Sequence, residues 1–420
     1  MARADIIATC TTVARSSNDQ RARVILLAAL GLFISGYNNF IIGLALLQLR
    51  PEFHLAPSSS GAVAAGTLAG MLVGALTLGR LADRLGRRPA LWLDLTLVVV
   101  FALTCAVVQS PTELVIARFL LGTGIGAGYP IGASFVADVS PARWRGRLMT
   151  LAFAGWGVGA FCAALIGWLV LREPTGGQGW RLMLASGAAP ALLALLLIGI
   201  ARLPESPRWA GTRDKPAMPV QVLLQRPLRR LTMAATLPWF LMDLSVYGVG
   251  LYTPTILLSL GFHSPPMVAV GTVLLSIFTL AGFAGAAAVI DRVGRRPLQI
   301  IGFLAMAITL VGIAFTGTHP SPVLLLGLFG GFQVGSNMGP NTTTWIVPAE
   351  LFPTRLRATG QGSATAFSRL GAVAGVLGLP LLVVALGLRT TLMLAAASSL
   401  LGMTLTIGLL PETAARELVD

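Results

Sequence analysis

The sequence predicts an all-α membrane protein in which twelve transmembrane helices form two six-helix halves. Composition is the first observation behind this prediction: 55% of the 420 residues are hydrophobic, 11% are charged, and the mean hydropathy is +0.80. A soluble domain carries roughly 25% charged residues, so this composition is typical of a chain that crosses a bilayer. The other two observations are a series of apolar stretches and an internal repeat.

The apolar stretches have lengths near the ~20 residues that a spanning helix needs. The first is too long for the core of a signal peptide and has no small-residue cleavage site after it, so it is predicted as the first helix. In chain order the predicted helices cover residues 24–48, 60–79, 90–109, 113–138, 148–171, 182–202, 231–258, 267–290, 298–316, 321–348, 360–387 and 390–410.

The segment 203–230 differs from these stretches because it is polar, basic and rich in proline. We predict that it is a cytoplasmic linker between an N-terminal half, 1–202, and a C-terminal half, 231–420. The net charge of +14 does not indicate a nucleic-acid partner, because the basic residues are distributed over alternate loops rather than one soluble face. An excess of Lys and Arg in those loops predicts that both termini are cytoplasmic. We therefore expect a multi-pass protein of the inner membrane, surrounded by lipid and monomeric.

An internal repeat supports the division into halves. "GRLADRLGRRP" at 79–89 recurs as "AAVIDRVGRRP" at 287–297, and "DVSPARWR" at 138–145 recurs as "ELFPTRLR" at 350–357. Parallel repeats of this kind place a substrate site between the halves, near the middle of the membrane. Small residues four apart, Gly155 with Gly159 and Gly371 with Gly375, predict close packing between helices.

The repeated loops carry acids and arginines that could pair across neighbouring helix ends and hold the cytoplasmic face shut. The simpler alternative is that they only anchor the topology. The residues assigned to this predicted gate are Asp83, Arg84, Arg87, Arg88, Asp291, Arg292, Arg295, Arg296, Glu350 and Arg355.

Catalytic and metal chemistry have little support in the sequence. The three cysteines and three histidines show neither metal-ligand spacing nor a disulfide framework. We therefore expect no metal, no cofactor and no enzymatic activity.

One acid lies within an apolar run, "WFLMDLSVYGVGLYTP" at 239–254. A carboxylate near the centre of a bilayer costs ~2.5–3.5 kcal/mol even on the mildest scale, so its presence there indicates function. The spacing of four residues places Trp239, Asp243 and Tyr247 on one helical face. Asp94, near the cytoplasmic end of the third stretch, is expected to join the loop network, which leaves Asp243 as the acid near the midplane.

Several motifs resemble the major facilitator superfamily and, within it, the sugar-porter branch. "GRLADRLGRR" is similar to the superfamily's loop 2–3 signature, and Arg118 in "RFLLGTGIG" to the basic residue of its helix 4 signature. "PESPRW", "PAELFPTRLRATGQG" and "PET" resemble sequences of the sugar-porter branch. The resemblance covers essentially the whole chain and implies the major facilitator fold.

The C-terminal half resembles the phosphate:proton symporters of that branch in "WFLMDLSVYGVGLYTP", "GPNTTTWIVPAELFP" and "SRLGAVAG". The resemblance implies that six residues bind substrate: Tyr129, Trp239, Asp243, Tyr247, Asn341 and Arg369.

The N-terminal half departs from the family pattern. Asn38 stands where proton-coupled relatives carry an aspartate, Gly128 where phosphate symporters carry an acid, and Trp156 near the position of a glutamine. We keep Asn38 and Trp156 as candidate substrate-binding residues. Arg118 has lost the acid partner it would have in a symporter of the branch.

Two functions follow from these residues. The first is a secondary transporter that moves a small anion, phosphate or an organic carboxylate, by alternating access and couples to protons through Asp243 with Arg118. Burial favours the neutral form of a carboxyl, so Asp243 could carry a proton together with the anion. The alternative is an uncoupled facilitator of a neutral sugar, polyol or other small solute, with Asn38, Asn39, Asn341 and Gln333 supplying hydrogen bonds and Asp243 orienting Arg369.

Overall fold

The computed structural model describes residues 2–85, 87–173, 176–201, 220–226, 228–259, 262, 264–317, 321–353, 356–416 and 418. Side chains are described from residue 21 onward, except for 79–88 and 200–220. These residues form helices and turns, with no β-strand among them. Most of the predicted linker lies outside the described residues, and its last part forms a 3₁₀ turn, Val220–Leu224.

The helices are labelled here in chain order. They are α1 (Ala2–Glu52), α2 (Pro57–Leu85), α3 (Arg87–Val107), α4 (Pro111–Gly126), α5 (Gly128–Val139), α6 (Arg145–Leu171), α7 (Gly179–Ala185), α8 (Ala188–Ala201), α9 (Leu228–Ser259), α10 (Pro265–Val293), α11 (Arg295–Ala314), α12 (Pro322–Met338), α13 (Pro340–Leu351) and α14 (Arg357–Leu409).

Ten stretches of the described residues are long and apolar enough to cross a membrane. The first nine coincide, one for one, with the first nine predicted helices. Two of these stretches contain a pair of successive helices: α4 with α5 form Pro111–Val139, and α7 with α8 form Gly179–Gly199. The structure therefore contains an integral, multi-pass helical bundle.

The remaining predicted helices differ in detail from the structure. The predicted helix 321–348 is two shorter helices, α12 and α13, separated at Gly339, since Pro340 has no backbone N–H to continue the first helix. The predicted helices 360–387 and 390–410 correspond to the two parts of α14, which meet at a kink at Gly387. Its backbone leaves the helical region at Gly387, where φ is 79°, a conformation that glycine adopts at little cost.

Local sequence explains where several helices begin. Ser110 and Ser321 cap α4 and α12, each accepting a hydrogen bond from the backbone N–H three residues ahead, and proline follows directly at the first helical position. At α11 the cap comes from a distant segment, because the Glu412 carboxylate accepts the backbone N–H groups of Arg295 and Arg296. A carboxylate at a helix N-terminus is favoured by the helix dipole.

The predicted glycine pairs lie at close helix contacts. A Cβ on Gly155 or Gly159 would overlap a backbone carbonyl of α1, and a Cβ on Gly371 or Gly375 would overlap a backbone carbonyl of α9. α1 therefore packs on α6 in the same way as α9 packs on α14. Helices from before and after the predicted linker also pack on each other, α6 against α10 and α2 against α14.

Candidate functional site

Arg369 lies at the centre of a buried polar cluster within the bundle. Its Nη1 donates to the Tyr247 hydroxyl at 2.8 Å, and its Nη2 is 3.4 Å from a carboxylate oxygen of Asp243. The guanidinium carbon lies 4.9 Å from the centroid of the Tyr129 ring and 5.1 Å from that of the Tyr247 ring. The cation is thus held between two aromatic rings and one acid.

Helix geometry brings this cluster together. Asp243 and Tyr247 lie one turn apart on α9, as their spacing predicts, and Trp239 and Ser368 lie beside the carboxylate. Arg369 precedes Gly371 on α14, and that glycine packs against the carbonyl of Phe240 on α9. The absence of a side chain at Gly371 lets the two helices approach, which sets Arg369 against Asp243.

Helices from the first part of the chain complete the cluster. The Tyr129 hydroxyl, on α5, shares a 3.1 Å hydrogen bond with Ser35 on α1, and the Asn39 amide donates to Ser35 at 3.3 Å. We call Ser35, Tyr129, Trp239, Asp243, Tyr247 and Arg369 the central cluster.

The central pair is incompletely hydrogen-bonded. In the described part of the chain, no donor meets the Asp243 oxygens with full hydrogen-bond geometry, although Ser368 and Trp239 lie beside them, and Arg369 Nε has no partner. The two side chains are only 1% and 2% exposed. A buried polar group without a partner costs about 1–3 kcal/mol, so this arrangement calls for an explanation beyond stability.

Aromatic side chains adjoin the central cluster. Phe153 on α6 stacks on Trp345 of α13, with centroids 4.9 Å apart and planes 12° from parallel. Trp156 contacts Phe40 edge-to-face at 5.0 Å, and Phe283 of α10 contacts Phe153 at 5.6 Å. We call Phe40, Phe153, Trp156, Phe283 and Trp345 the aromatic cluster.

Both ends of the bundle close over these clusters. Toward one end, Arg357 of α14 donates to Asp138 of α5 at 2.7 Å. Toward the other end, α1 and α9 are so close that a Cβ on Gly43 would lie 2.7 Å from the Leu251 carbonyl oxygen. The central side chains themselves are buried.

A second charged cluster lies at the Arg357 end. Arg295 donates from Nε and Nη2 to the two oxygens of Glu350, at 3.1 and 2.8 Å, and from Nη1 to Asp291 at 2.9 Å. Asp291 also accepts the backbone N–H groups of Gly146 and Arg147, at 3.0 and 2.9 Å, which joins α10 to α6. We call Asp138, Asp291, Arg295, Glu350, Arg357 and Glu412 the helix-end network.

The predicted gate residues differ in whether they take part in the helix-end network. Asp291, Arg295 and Glu350 belong to the helix-end network, whereas Arg292 is exposed. Arg296 donates its backbone N–H to Glu412 and its side chain to the carbonyl of Ile407 at 2.7 Å. The side chains of Asp83, Arg84, Arg87 and Arg88, and residue Arg355, lie outside the described residues.

The predicted binding residues do not all meet at Arg369. The Asn38 amide instead donates to the backbone carbonyls of Ile34 and Gly187, at 3.0 and 3.4 Å, within the first six spans. Arg118 donates to the backbone carbonyls of Val63 and Asn38, at 3.0 and 3.5 Å. Asn341, on α13, donates to the Asn337 side chain at 2.7 Å.

Sequence reasoning missed Phe153 and Trp345. Trp345 follows Asn341 by four residues, so helical spacing could have placed the two on one face. Sequence reasoning also assigned Asp94 to the loop network at the cytoplasmic end. Asp94 is buried, and its Oδ2 lies 4.0 Å from where a Cβ of Gly128 would be, next to Tyr129. A carboxyl therefore lies beside the position where the resemblance had placed an acid on helix 4.

The family model for the major facilitator superfamily matches residues 28–375. The chain belongs to this superfamily. It is therefore a membrane transporter and not an enzyme, and its substrates are small molecules. In the described part of the chain, no three His, Cys, Asp or Glu side chains are grouped to hold a metal.

Three relatives illustrate the range of the family. A putative metabolite transport protein of Escherichia coli is 33% identical, over 93% of this chain and 92% of its own. A probable inorganic phosphate transporter of Arabidopsis thaliana is 28% identical, over 94% and 92%. A putative niacin/nicotinamide transporter of Bacillus subtilis is 30% identical, over 86% and 88%.

Among solved structures, the proton:xylose symporter XylE matches with a TM-score of 0.82 at 22% identity, over 96% of this chain and 98% of its own. This likeness shows that the chain has the major facilitator fold.

Proposed function

We propose that the protein is a secondary transporter of a small anion, either phosphate or an organic carboxylate, and that Asp243 couples its transport to protons. The observation that carries the proposal is the buried Arg369–Asp243 pair, which lies between helices from both parts of the chain and has unfilled hydrogen bonds.

The anion preference rests on Arg369. A guanidinium presents donors in a planar fork that matches a carboxylate or a phosphate, and its charge is permanent. One donor is used by Tyr247, another faces Asp243 across a long 3.4 Å contact, and Nε has no partner among the described residues. An incoming anion can occupy the unfilled donor and displace Asp243 from the other.

Coupling follows from this exchange of partners. A carboxylate that loses its cation in a low-dielectric site is more stable when protonated. Anion binding to Arg369 thus favours proton uptake by Asp243, and the loaded site carries both. When the anion leaves, Arg369 attracts the carboxylate again and the proton is released. Arg118 contributes a second buried positive charge.

The helix-end network is proposed as the gate. Asp291 and Arg357 each bond to helices from the other part of the chain, α6 and α5, so these contacts must break for that end to open. Because the sequence repeat matches these loops, the same role is proposed for Asp83, Arg84, Arg87, Arg88 and Arg355. The proposal also includes the topology: the chain crosses the inner membrane twelve times, with α14 supplying two spans on either side of Gly387, and both termini are cytoplasmic. The two halves are 1–202 and 231–420, and the protein is a monomer.

The test is Asp243→Asn in the full-length protein, reconstituted in liposomes, with labelled phosphate, lactate and 4-hydroxybenzoate. The wild type should accumulate at least one anion under an inward-directed proton gradient. The variant should exchange that anion down its own gradient and ignore the pH difference, while Asp243→Glu retains the response. A variant that transports at the normal rate and responds normally to the gradient contradicts the coupling.

A facilitator of a neutral polyol is the second candidate, because two uncharged acceptors are also unfilled. Asn39 Oδ1 and Gln361 Oε1 are buried without a hydrogen-bond partner among the described residues, and hydroxyl groups could donate to them. Uptake of such a solute should be unaffected when an ionophore collapses the proton gradient, whereas anion uptake should fall.

A further inference from the structure

The stacked pair of Phe153 and Trp345 crosses the interface between the two parts of the chain. Phe153 belongs to α6 and Trp345 to α13, and their planes are 12° from parallel. Trp156 lies nearly parallel to Phe153 as well, with centroids 6.2 Å apart. When the parts separate in alternating access, this stack must open and expose two facing aromatic surfaces.

The aromatic cluster contains donors that have no acceptor. The indole N–H groups of Trp156 and Trp345 have no hydrogen-bond partner within the part of the chain that the structure describes, although the side chains are 2% and 0% exposed. A buried tryptophan N–H usually finds a partner. In the adjoining central cluster, Arg369 Nε is another donor without a partner among the described residues.

These donors belong to one continuous site. The Tyr129 ring contacts both Phe153, at 6.4 Å, and the guanidinium of Arg369. The Tyr247 ring contacts both Trp156, at 6.4 Å, and the same guanidinium. A ligand between the two parts of the chain would therefore meet flat aromatic surfaces at one end and a cation with unfilled donors at the other.

We propose that the substrate is a planar aromatic monocarboxylate. This inference rests on the proposed anion transport and specifies the substrate of that site. The carboxylate accepts hydrogen bonds from Arg369 and from an indole N–H, and the ring takes the place of one partner in the Phe153–Trp345 stack. Both contacts replace interactions that opening of the bundle would break.

Phosphate fits this site less well. Its charge is spread over four oxygens, which need several donors when buried, and much of the wall consists of aromatic carbon. Trp156 also stands near the position where the sequence resemblance places a glutamine of phosphate symporters, so a ring and a single donor replace an amide. An aliphatic carboxylate satisfies the donors but leaves the stacking surfaces without a flat partner.

The test compares four probes on the purified full-length protein by thermal shift and by quenching of tryptophan fluorescence. Benzoate carries both an aromatic ring and a carboxylate. Cyclohexanecarboxylate keeps the carboxylate without the aromatic ring, benzamide keeps the aromatic ring without the charge, and inorganic phosphate is the alternative anion. Binding is measured rather than uptake, because benzoic acid crosses bilayers unaided. Benzoate should bind at least ~10-fold more tightly than each of the others, as expected for losing either a charged hydrogen bond or a stacking contact.

Variants locate the binding. Trp345→Phe keeps a stacking ring and removes the N–H. It should therefore weaken the binding of benzoate and of cyclohexanecarboxylate alike, each ~10-fold, and preserve the preference for benzoate. Trp156→Phe is the second, independent variant. Trp92→Phe is the matched control, since Trp92 is exposed on the outer face of α3, and it should not change benzoate binding.

The outcomes separate the two proposals. Equal binding of benzoate and cyclohexanecarboxylate, or tighter binding of phosphate, overturns the aromatic substrate and leaves anion transport standing. Benzoate binding that is unchanged in both Trp345→Phe and Trp156→Phe also overturns it. Binding of benzamide with no response to benzoate, cyclohexanecarboxylate or phosphate overturns the anion transporter itself.

Discussion

The central cluster and the helix-end network both bury arginine–carboxylate pairs, but they satisfy them differently. Arg295 makes a two-pronged contact with Glu350 and a further bond with Asp291, and all distances lie between 2.8 and 3.1 Å. Arg369 faces Asp243 at 3.4 Å, and no donor among the described residues meets either carboxylate oxygen with full hydrogen-bond geometry. The saturated group of Arg295, Glu350 and Asp291 holds helices together, whereas the unsaturated pair of Arg369 and Asp243 retains capacity for a ligand or a proton.

The difference has a physical cause in the neighbouring groups. Asp291, Glu350 and Glu412 lie at helix ends, where backbone N–H groups and the Thr413 hydroxyl are available as donors. Asp243 lies inside α9, where the backbone N–H groups are committed to the helix. Only side chains can reach it there, and the neighbours are largely aromatic.

The largest effect is expected at Arg295. Arg295→Met leaves the buried Glu350 and the half-buried Asp291 without their cation, which should lower the free energy of unfolding by about 3–5 kcal/mol. Thermal denaturation in detergent measures this loss. Arg292→Met, at the end of α10, is the control, because Arg292 is exposed and should change stability by no more than ~0.5 kcal/mol. Equal stability of the two variants would remove the distinction between the clusters.

A smaller effect is expected at the central pair. Arg369→Gln should lower the free energy of unfolding by about 1–3 kcal/mol, since Asp243 is left without a cation but can take up a proton. Adding Asp243→Asn should restore most of that loss, because the double variant contains no unpaired charge. Stability is compared across all four proteins of the cycle. A double variant that is no more stable than Arg369→Gln would mean that the pair holds the fold as Arg295 does.

The smallest effect is expected at Glu412. Its carboxylate caps α11 and accepts four backbone N–H groups, those of Arg295, Arg296, Thr413 and Ala414. Glu412→Gln keeps one acceptor oxygen and loses the charge, which should cost about 1 kcal/mol. Glu113→Gln, at the N-terminus of α4, provides a comparison at a more exposed cap. A cost above that of Arg369→Gln would show that the cap is the main element of the helix-end network.

Much of the site could be predicted because it depends on spacing within one helix. Asp243 and Tyr247 lie four residues apart, and a helix places such residues on one face whatever surrounds it. The membrane-spanning helices were predictable for a similar reason, since the length of each apolar stretch can be read directly from the sequence. The break at Gly339 was missed, because it divides a single apolar stretch, whereas the kink of α14 at Gly387 falls at the predicted boundary between two helices.

Rotation and neighbours were decided by tertiary packing. Nothing in the spacing of α1 indicates that Ser35 and Asn39 lie near Tyr129 while Asn38 lies against Gly187; adjacent residues on a helix point about 100° apart, and packing selects which one faces the centre. The approach of Asp94 to Gly128 and the stack of Phe153 on Trp345 join residues from different helices.

The sequence by itself thus determined the membrane-spanning helices, the family motifs and the acid within α9, because these depend on composition and local period. Only the tertiary structure decided which buried charged groups have their hydrogen bonds filled and which do not. That distinction depends on the donors that other helices bring within about 3 Å, a distance that no spacing along one chain segment specifies.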